Sequence, residues 1–279
     1  MTSVPATTSA SRKSRPQTNL SVLRREQLSP HMVRIVAGGP GFDGYVNNGF
    51  VDRYIKIAFP QPGIDYPEPL DLWAIRESMP REEWPHTRTY TVRWVDEPAG
   101  ELAIDFVIHG DEGLAGPWAA SARPGDSLVF TGPGGGYNPD PTADWHLFAG
   151  DESALPAISA AIESLPEHAR GLAFLEVDSD AEIQAVAAPA GMELRWLLRD
   201  GVPAGAGELL VNAVRDTEWP DGRVQVFAHG ERGYMKSLRD VFYAQRGLER
   251  GQVSLSGYWA KGRVEDDFQA EKKLPVGQI

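Results

Sequence analysis

The chain has 279 residues, a length typical of two domains. It contains no cysteine, which excludes disulfides, zinc–thiolate sites, iron–sulfur clusters and thiol catalysis, so redox chemistry would need a bound cofactor. The formal net charge of −12 disfavours binding to nucleic acid or to an anionic membrane surface.

The N-terminal segment, residues 1–18, is rich in Ser, Thr and Ala, and we predict a disordered leader there. It lacks the apolar core of a secretory signal. The sequence also has no apolar run of about 18 residues, the length needed to cross a bilayer. We therefore expect a cytoplasmic protein without membrane insertion.

Apolar and polar residues alternate between about residues 32 and 130, as in a half-buried antiparallel sheet. The segments VDRYIKIAF, RTYTVRWV and ELAIDFVIH each show this period of two, and turns rich in Gly, Pro and Asp separate them. The pattern predicts an antiparallel β-barrel domain over residues 19–142. An irregular stretch rich in Pro and Trp, from Pro60 to Pro85, interrupts the predicted barrel strands, and we assign it no role.

The period changes after the link GPGGGYNPDPTAD. WHLFAG is typical of a buried strand, and SALPAISAAIESL of a helix. The pairs GLAFLEV and DAEIQAVAA, ELRWLL and GELLVNAV, and RVQVFA and YMKSLRDVFYAQ continue the alternation of strand and helix. This order predicts an α/β domain with a parallel sheet over residues 143–279.

Neither the histidines nor Ser153 show a sequence pattern typical of a metal site or a hydrolase. No two of the six histidines are four residues apart, so we predict no metal site. Ser153 stands at a predicted strand-to-helix turn but lacks the flanking GxSxG pattern, which disfavours a hydrolase.

The strongest cluster of functional residue types lies on two predicted barrel strands and the loop after them. Arg88 offers a planar fork for phosphate oxygens, and Tyr90 offers a flat ring for a conjugated cofactor. Residues 113–119 add backbone N–H groups at a predicted helix start, where the helix dipole favours an anion. Together they predict a dinucleotide clamp, although RTYTVRW alone favours an ordinary strand. Alternation places Thr91 on the opposite face.

Four segments together resemble the siderophore-interacting proteins, a family of FAD-containing ferric-siderophore reductases related to the ferredoxin reductases. RTYTVR resembles the family's Arg-x-Tyr-Thr flavin motif, and DFVIHGDEGLAGPWA its following strand and Gly-x-Ala-x-x-Trp-Ala loop. AGDESALPAI is similar to its Gly-Asp-Glu-Thr-Ala-Leu-Pro-Ala-Ile segment, and SGYWAKGRVEDD to its Gly-Tyr-Trp signature. Ser153 replaces the usual Thr, and Ala260 stands where a basic residue often follows the Trp.

The resemblance implies a ferredoxin reductase-type barrel that binds FAD. Arg88 would contact the pyrophosphate, Tyr90 would pack on the isoalloxazine, and Thr91 would lie near the reactive nitrogen of the flavin. The other residues assigned to FAD are Asp105, Val107, His109, Gly113, Ala115, Gly116 and Trp118.

For the α/β domain the resemblance implies NADPH or NADH as the electron donor. One assigned turn comprises Asp151, Glu152 and Ser153. Because its two carboxylates would repel pyrophosphate, we expect contacts with ribose and the nicotinamide amide, or simple helix capping. A second turn comprises His229, Gly230 and Glu231, which would line the nicotinamide pocket or form an ordinary turn. Arg199 is the candidate for the 2′-phosphate of NADPH, or else an exposed strand-end charge.

The function implied is FAD-dependent, NAD(P)H-driven reduction of a ferric siderophore, with release of ferrous iron in the cytoplasm. No catalytic side chain is assigned, because the flavin splits an electron pair into single electrons and ferrous iron is held less tightly by hard oxygen ligands. The residues expected to contact the siderophore are Lys56, Trp259, Lys261 and Arg263. The alternatives are a flavin reductase, an electron-supplying partner of an oxygenase, and a non-catalytic siderophore carrier.

Overall fold

The computed structural model describes residues 16–108, residue 110 and residues 113–279. Most of the predicted leader lies outside the described residues. Gln17 and Thr18, which the prediction assigned to the leader, instead begin the first strand. Among the described residues, no helix is both long and apolar enough to cross a bilayer.

The N-terminal half forms a closed barrel of six antiparallel strands, as the alternation predicted. The strands are β1 (Gln17–Ser29), β2 (Met32–Gly38), β3 (Tyr54–Phe59), β4 (His86–Asp96), β5 (Glu101–Val107) and β6 (Ser127–Gly134). They close in the order β1-β2-β5-β4-β3-β6. Ile55 and Ile57 of β3 and Ile104 and Phe106 of β5 are fully buried in the barrel core, because alternate side chains point inward.

Two short helices cover the barrel. Helix α1 (Leu72–Ser78) lies in the Pro- and Trp-rich stretch, where the Asp71 carboxylate caps its first turn. Its buried residues pack on the outer side chains of β3 and β6, so this stretch is a folded cover. Helix α2 (Ala115–Ser121) follows β5 and buries Ala115 and Ala119 against the barrel core.

The C-terminal half is an α/β domain with a five-stranded parallel sheet, as predicted. Its strands are β7 (Trp145–Gly150), β8 (Arg170–Val177), β9 (Gly191–Leu198), β10 (Val224–Glu231) and β11 (Val253–Trp259). Its helices are α3 (Leu155–Glu163), α4 (Leu209–Asp216), α5 (Arg232–Asp240) and α6 (Glu265–Glu271). The strand order is β11-β10-β7-β8-β9, so the winding direction reverses between β7 and β10, a point where open α/β sheets bind ligands.

The helix predicted in DAEIQAVAA is wrong. Only Asp180–Glu182 forms a single 3-10 turn, and the following residues run extended. Glu182 is buried, and its carboxylate accepts hydrogen bonds from the Ser29 hydroxyl at 2.5 Å and the His31 amide at 3.2 Å, both in the barrel. Every second side chain after Glu182 turns inward, which an extended backbone permits and a helix does not.

The two halves share one hydrophobic cluster. Met32 and Val51 of the barrel side pack in it with Phe148, Ile158 and Phe227 of the α/β domain. A buried apolar cluster of this kind holds the carboxyl edge of the parallel sheet beside the barrel.

Candidate functional site

The barrel opens between β4 and β5. β4 pairs with β3 along its first half, from His86 to Thr91, but with β5 only from Val92 onward. β5 pairs with β2 as far as Val107, so its second half diverges from β4. Trp118 of α2 bridges this opening, because its ring lies 5.8 Å from Phe59 of β3 and 5.6 Å from Phe106 of β5 between centroids. We call this gap between the diverging ends of β4 and β5, bordered by β3 and α2, the barrel cleft.

Arg88 and Tyr90 lie together on the strand that borders this cleft. The Tyr90 ring packs on Phe106, with 4.3 Å between centroids, and remains partly exposed. The Arg88 side chain is 18% exposed, and its Nη1 donates to the Thr87 carbonyl at 2.9 Å and to Asp266 Oδ1 of α6 at 3.3 Å. A carboxylate oxygen at this guanidinium shows that an anionic group fits there.

Thr91 faces away from Arg88 and Tyr90, as the alternation predicted. It pairs with Tyr54, whereas Tyr90 pairs with the core residue Ile55. Thr91 is buried, and its hydroxyl lies near enough to Tyr258 of β11 in the α/β domain to oppose the rise that burial causes in the pKa of that phenol. It thus lies between the two domains.

The remaining residues assigned to the barrel cofactor differ in their availability. The carboxylate of Asp105 is 4% exposed and accepts two hydrogen bonds from Arg34, at 2.6 and 2.8 Å, so a cofactor contact through that group is not supported. Gly113 has a φ of +82°, a backbone conformation that favours glycine, whereas a side chain on Gly116 would meet the Val107 carbonyl at an ordinary contact distance of 3.4 Å. His109 lies outside the described residues.

The two turns assigned to the electron donor are adjacent at the sheet's carboxyl edge. Asp151 joins them, because its Oδ2 accepts from the Glu231 amide and from Trp259 Nε1, both at 2.8 Å, and its Oδ1 accepts from the Ser153 hydroxyl at 2.5 Å. Gly230 has a φ of +145°, and a side chain there would lie 2.7 Å from Asp151. Burial raises the pKa of Asp151, and hydrogen bonds from Ser153 and Trp259 oppose that shift. This geometry favours helix capping, rather than a contact with the electron donor, for Asp151. It also occupies the indole N–H of Trp259 with a partner inside the protein.

Arg199 lies inside a cluster of carboxylates. It is 7% exposed, so it is not a surface strand-end charge. Its guanidinium holds Glu152 with two hydrogen bonds, at 2.8 and 2.6 Å, and lies 3.7 Å from Glu176 and 3.6 Å from Asp178. Three carboxylates already surround the charge, so its assignment to a 2′-phosphate is not supported. Burial raises the pKa of Glu176 to about 7, with Arg199 opposing the shift.

His229 is part of a second internal network, which also contains the residue that sequence analysis missed. Its Nδ1 lies 3.0 Å from the Tyr258 hydroxyl and its Nε2 lies 3.0 Å from the Ser254 hydroxyl. Burial lowers the pKa of His229 to about 3, and the charge of Lys272 adds to this. Sequence analysis did not select Tyr258. It is the middle residue of the Gly-Tyr-Trp signature, and that motif could have pointed to it.

The residues assigned to the substrate lie around α6. Lys56 of β3 is partly exposed and Lys261 is fully on the surface, with its amide donating to Glu231 at 3.1 Å. Arg263 Nε donates to Glu271 Oε1 at 2.6 Å. Lys272, which sequence analysis did not select, lies close enough to Lys56 for the two charges to interact.

Comparison with known proteins decides the family. Residues 21–137 match the model of the siderophore-interacting FAD-binding domain, and residues 143–262 match that of the siderophore-interacting proteins. The chain belongs to the siderophore-interacting protein family. This assignment bears out the resemblance drawn from the four sequence segments.

Relatives of this siderophore-interacting protein cover nearly its whole length. A ferric vibriobactin reductase of Vibrio cholerae is 34% identical over 93% of this chain and 95% of that protein. An NADPH-dependent ferric-chelate reductase of Escherichia coli is 33% identical over 86% of this chain and 91% of that protein. The crystal structure of a siderophore utilization protein from T. fusca is 37% identical and has a TM-score of 0.78, over 89% of this chain and 94% of that one. The two-domain fold is that of the ferredoxin reductase-like flavoproteins.

The barrel cleft fits FAD. Its partly exposed aromatic ring, Tyr90, suits a flat conjugated group, and Arg88 already holds an anionic oxygen. Gly113, just before α2, has a φ of +82°, which favours glycine at that position. These residues would hold the ring system and the pyrophosphate of the dinucleotide.

Proposed function

We propose that this protein uses FAD and NAD(P)H to reduce iron(III) held by a siderophore, and so releases iron(II) in the cytoplasm. The observation that carries the proposal is the cleft between β4 and β5, with Arg88 and Tyr90 on its border, in a chain whose FAD-binding domain match covers residues 21–137 and so all but the first four residues of the barrel strands. Two relatives named as ferric reductases add support, because each aligns along more than nine-tenths of its own length.

In this proposal the barrel binds and orients the cofactor. Arg88 binds the pyrophosphate, for which Asp266 stands in here, and Tyr90 supports one face of the flavin ring. Thr91 directs its hydroxyl to the ring's reactive edge. When bound, FAD converts the electron pair of a nicotinamide donor into single electrons that iron(III) can accept.

The donor is proposed to lie at the carboxyl ends of β7 and β10, where the sheet's winding reverses. The turns that hold Asp151 and Glu231 form the floor of that site. The Asp151 carboxylate accepts from the Glu231 amide and from Trp259, and the Glu231 carboxylate accepts from the amides of Tyr234 and Lys261. Such a floor excludes phosphate by charge, so we expect the nicotinamide end of the donor here.

The substrate is proposed to be an anionic ferric chelate. The chain carries a net charge of −12, which repels an anion, and a local cluster of cations offsets this repulsion. In this proposal Lys56 and Lys272 contribute on the barrel side, where Glu265 also acts on Lys272, and Lys261 contributes after β11, where Arg263 is paired with Glu271. The iron is substrate, held by the siderophore's own oxygen atoms.

The test is an anaerobic assay with purified, FAD-loaded protein, NADPH or NADH, a ferric siderophore and a chromogenic iron(II) chelator. The proposal expects the flavin absorbance to bleach on adding the donor and to return on adding the ferric siderophore, while the iron(II) complex appears. Tight chelate binding without iron(II) formation would identify a carrier instead. Flavin that the donor cannot reduce would contradict the proposal.

A further inference from the structure

A cavity lies between the Pro- and Trp-rich cover and the outside of the barrel. Its volume is about 220 Å³. It is lined by Leu72, Ile75, Arg76, Arg81, Trp84, Pro85 and Thr87. All of these residues except Thr87 belong to the stretch from Pro60 to Pro85, to which sequence analysis assigned no role. The cover therefore does more than shield the barrel, because it leaves a shaped space against β4.

The cavity lies on the opposite face of β4 from the barrel cleft. Thr87 pairs with Ala58, which packs with α1 outside the barrel, whereas Arg88 pairs with Ile57 of the barrel core. Residues that are directly paired on neighbouring strands have their side chains on the same face of a sheet. A ligand in this cavity therefore contacts β4 without entering the cleft proposed for FAD.

Two guanidinium groups line the cavity without a carboxylate partner. Within the described part of the chain, neither Arg76 nor Arg81 forms an ion pair or a side-chain hydrogen bond. Carboxylates are close in sequence, since Glu77 and Glu82 directly follow the two arginines, yet they do not pair with them. Two positive charges thus remain uncompensated at one cavity of a chain whose net charge is −12.

The Arg76 side chain is held in place by aromatic rings. Its guanidinium carbon lies 4.8 Å from the ring centre of Trp73 and 5.7 Å from that of Trp84. Stacking of this kind uses the flat face of the guanidinium and leaves N–H groups at its edge for an anion. Because the group is already oriented, binding an anion costs it little further conformational entropy.

The rest of the cavity wall is apolar and aromatic. Leu72 and Ile75 belong to the buried cluster beneath α1, and Trp84 packs against that cluster. The indole N–H of Trp84 donates to the Met79 carbonyl at 3.1 Å, which fixes the orientation of the ring. A ligand that matches this wall combines a flat apolar body with a negative charge.

We propose that this cavity binds a carboxylate that carries a single aromatic ring. The carboxylate accepts hydrogen bonds from Arg76 and Arg81, and the ring packs against Trp84 and the aliphatic side chains. The size agrees, because a cavity of about 150 Å³ holds benzene. The larger volume of about 220 Å³ leaves room for the charged group. This inference involves neither FAD nor iron and does not rest on the proposed function.

The first test is calorimetric titration of FAD-loaded protein with benzoate at neutral pH. We expect saturable binding at one site without release of FAD. Two related compounds separate the two requirements of the cavity. Cyclohexanecarboxylate keeps the charge but has no flat ring, and it should bind more weakly. Benzamide keeps the ring but is uncharged, and it should bind about tenfold more weakly or worse, because it loses the charge-assisted hydrogen bonds.

Arg81→Gln and Arg250→Gln form a matched pair of variants. Arg81 and Arg250 are both exposed, and each is the first residue of a single 3-10 turn, but Arg250 lies in the α/β domain. We expect Arg81→Gln to weaken benzoate binding by about tenfold and Arg250→Gln to leave it unchanged. Arg81→Lys keeps the charge but not the planar fork, so its affinity should fall between those of Arg81→Gln and the wild type.

Nuclear magnetic resonance of the indole N–H groups locates the bound benzoate in the wild-type protein. Trp84 is partly buried at the cavity, whereas Trp145 is buried in the α/β domain. Benzoate should shift the signal of Trp84 and leave that of Trp145 unchanged. This measurement needs no substitution in the cavity wall, so it does not depend on how a variant folds.

Three results would overturn the inference: no saturable binding of benzoate, a Trp84 signal that does not move at saturation, or equal affinities of Arg81→Gln and Arg250→Gln. Release of FAD by benzoate would also contradict it, because the probe would then occupy the barrel cleft. Whether the protein reduces a ferric siderophore changes none of these results, so a failure of the proposed function remains distinguishable.

Discussion

Glu176 offers a test of the buried carboxylate cluster at the sheet's carboxyl edge. Its side chain is 1% exposed, accepts a hydrogen bond from the Leu210 amide at 3.2 Å and lies 3.7 Å from Arg199. Burial raises its pKa from 4.5 to about 7; the positive charge of Arg199 opposes the rise, and the charges of Asp151 and Glu152 add to it. The folded protein therefore binds a proton here that the unfolded chain releases.

The sign of the pH dependence follows from this difference. Stability from the protonated Glu176 is fully present below about pH 4.5, and it is lost as the pH rises through about 7. A shift of this size corresponds to about 3 kcal/mol in the free energy of unfolding. Glu176→Gln keeps the shape and an acceptor oxygen but cannot ionise, so it should remove this contribution.

Urea unfolding of FAD-saturated protein between about pH 5 and pH 8 measures the effect. The wild type should lose roughly 2 to 3 kcal/mol relative to Glu176→Gln across this range, most of it between about pH 5 and 7. Glu193→Gln is the control, since Glu193 is exposed on β9 and pairs with Arg195 on the same strand. Wild-type and Glu176→Gln curves that stay parallel would refute the burial argument.

Three further predictions concern charged residues. Arg88→Ala should weaken FAD retention by about tenfold or more at matched dilution, because one charge-assisted contact is worth about 1.5 to 3 kcal/mol. Arg199→Ala should lower the free energy of unfolding by about 3 to 5 kcal/mol, as expected for breaking a buried ion pair, and should change the Michaelis constants for NADPH and NADH alike. Lys56→Ala combined with Lys261→Ala should raise the Michaelis constant for an anionic ferric chelate at low salt, an effect that should fade as the Debye length shrinks below about 10 Å.

Each of these three predictions has a control and a result that would contradict it. Asp266→Asn removes the carboxylate at Arg88 and should leave FAD retention unchanged or stronger. If Arg88→Ala retains FAD as well as the wild type does, Arg88 does not bind the pyrophosphate. If Arg199→Ala selectively loses the use of NADPH, Arg199 does bind the 2′-phosphate. The lysine variant should oxidise NAD(P)H normally with a neutral acceptor, and unaltered kinetics with the anionic chelate would remove Lys56 and Lys261 from substrate binding.

Local sequence patterns predicted much of the fold. A period of two in β3 and β5 predicted the barrel, because inward and outward side chains must alternate along a strand. The turns of Asp151 and Glu231 were rightly predicted to follow parallel strands, whose carboxyl ends meet at one edge. Motif and strand position together also selected Arg88 and Tyr90, which the structure brings to one cleft.

Partners distant in sequence could not be predicted in this way. Arg199 looks like a strand-end charge until β7 and β8 bring Glu152 and Glu176 to it, and Asp105 looks available until β2 presents Arg34. The missing helix after β8 has the same cause, since Glu182 is held by Ser29 of the barrel. In each case a tertiary ion pair or hydrogen bond decides the role of the side chain.

The most direct test of the central claim is the electron balance of anaerobic iron release. FAD-loaded protein, limiting NAD(P)H and excess ferric siderophore should yield two iron(II) ions for each NAD(P)H consumed, because the donor gives two electrons and each iron accepts one. FAD-depleted protein should yield none until FAD is restored. Iron(II) formation that is unaffected by FAD depletion, or NAD(P)H consumption without iron(II), would contradict the account.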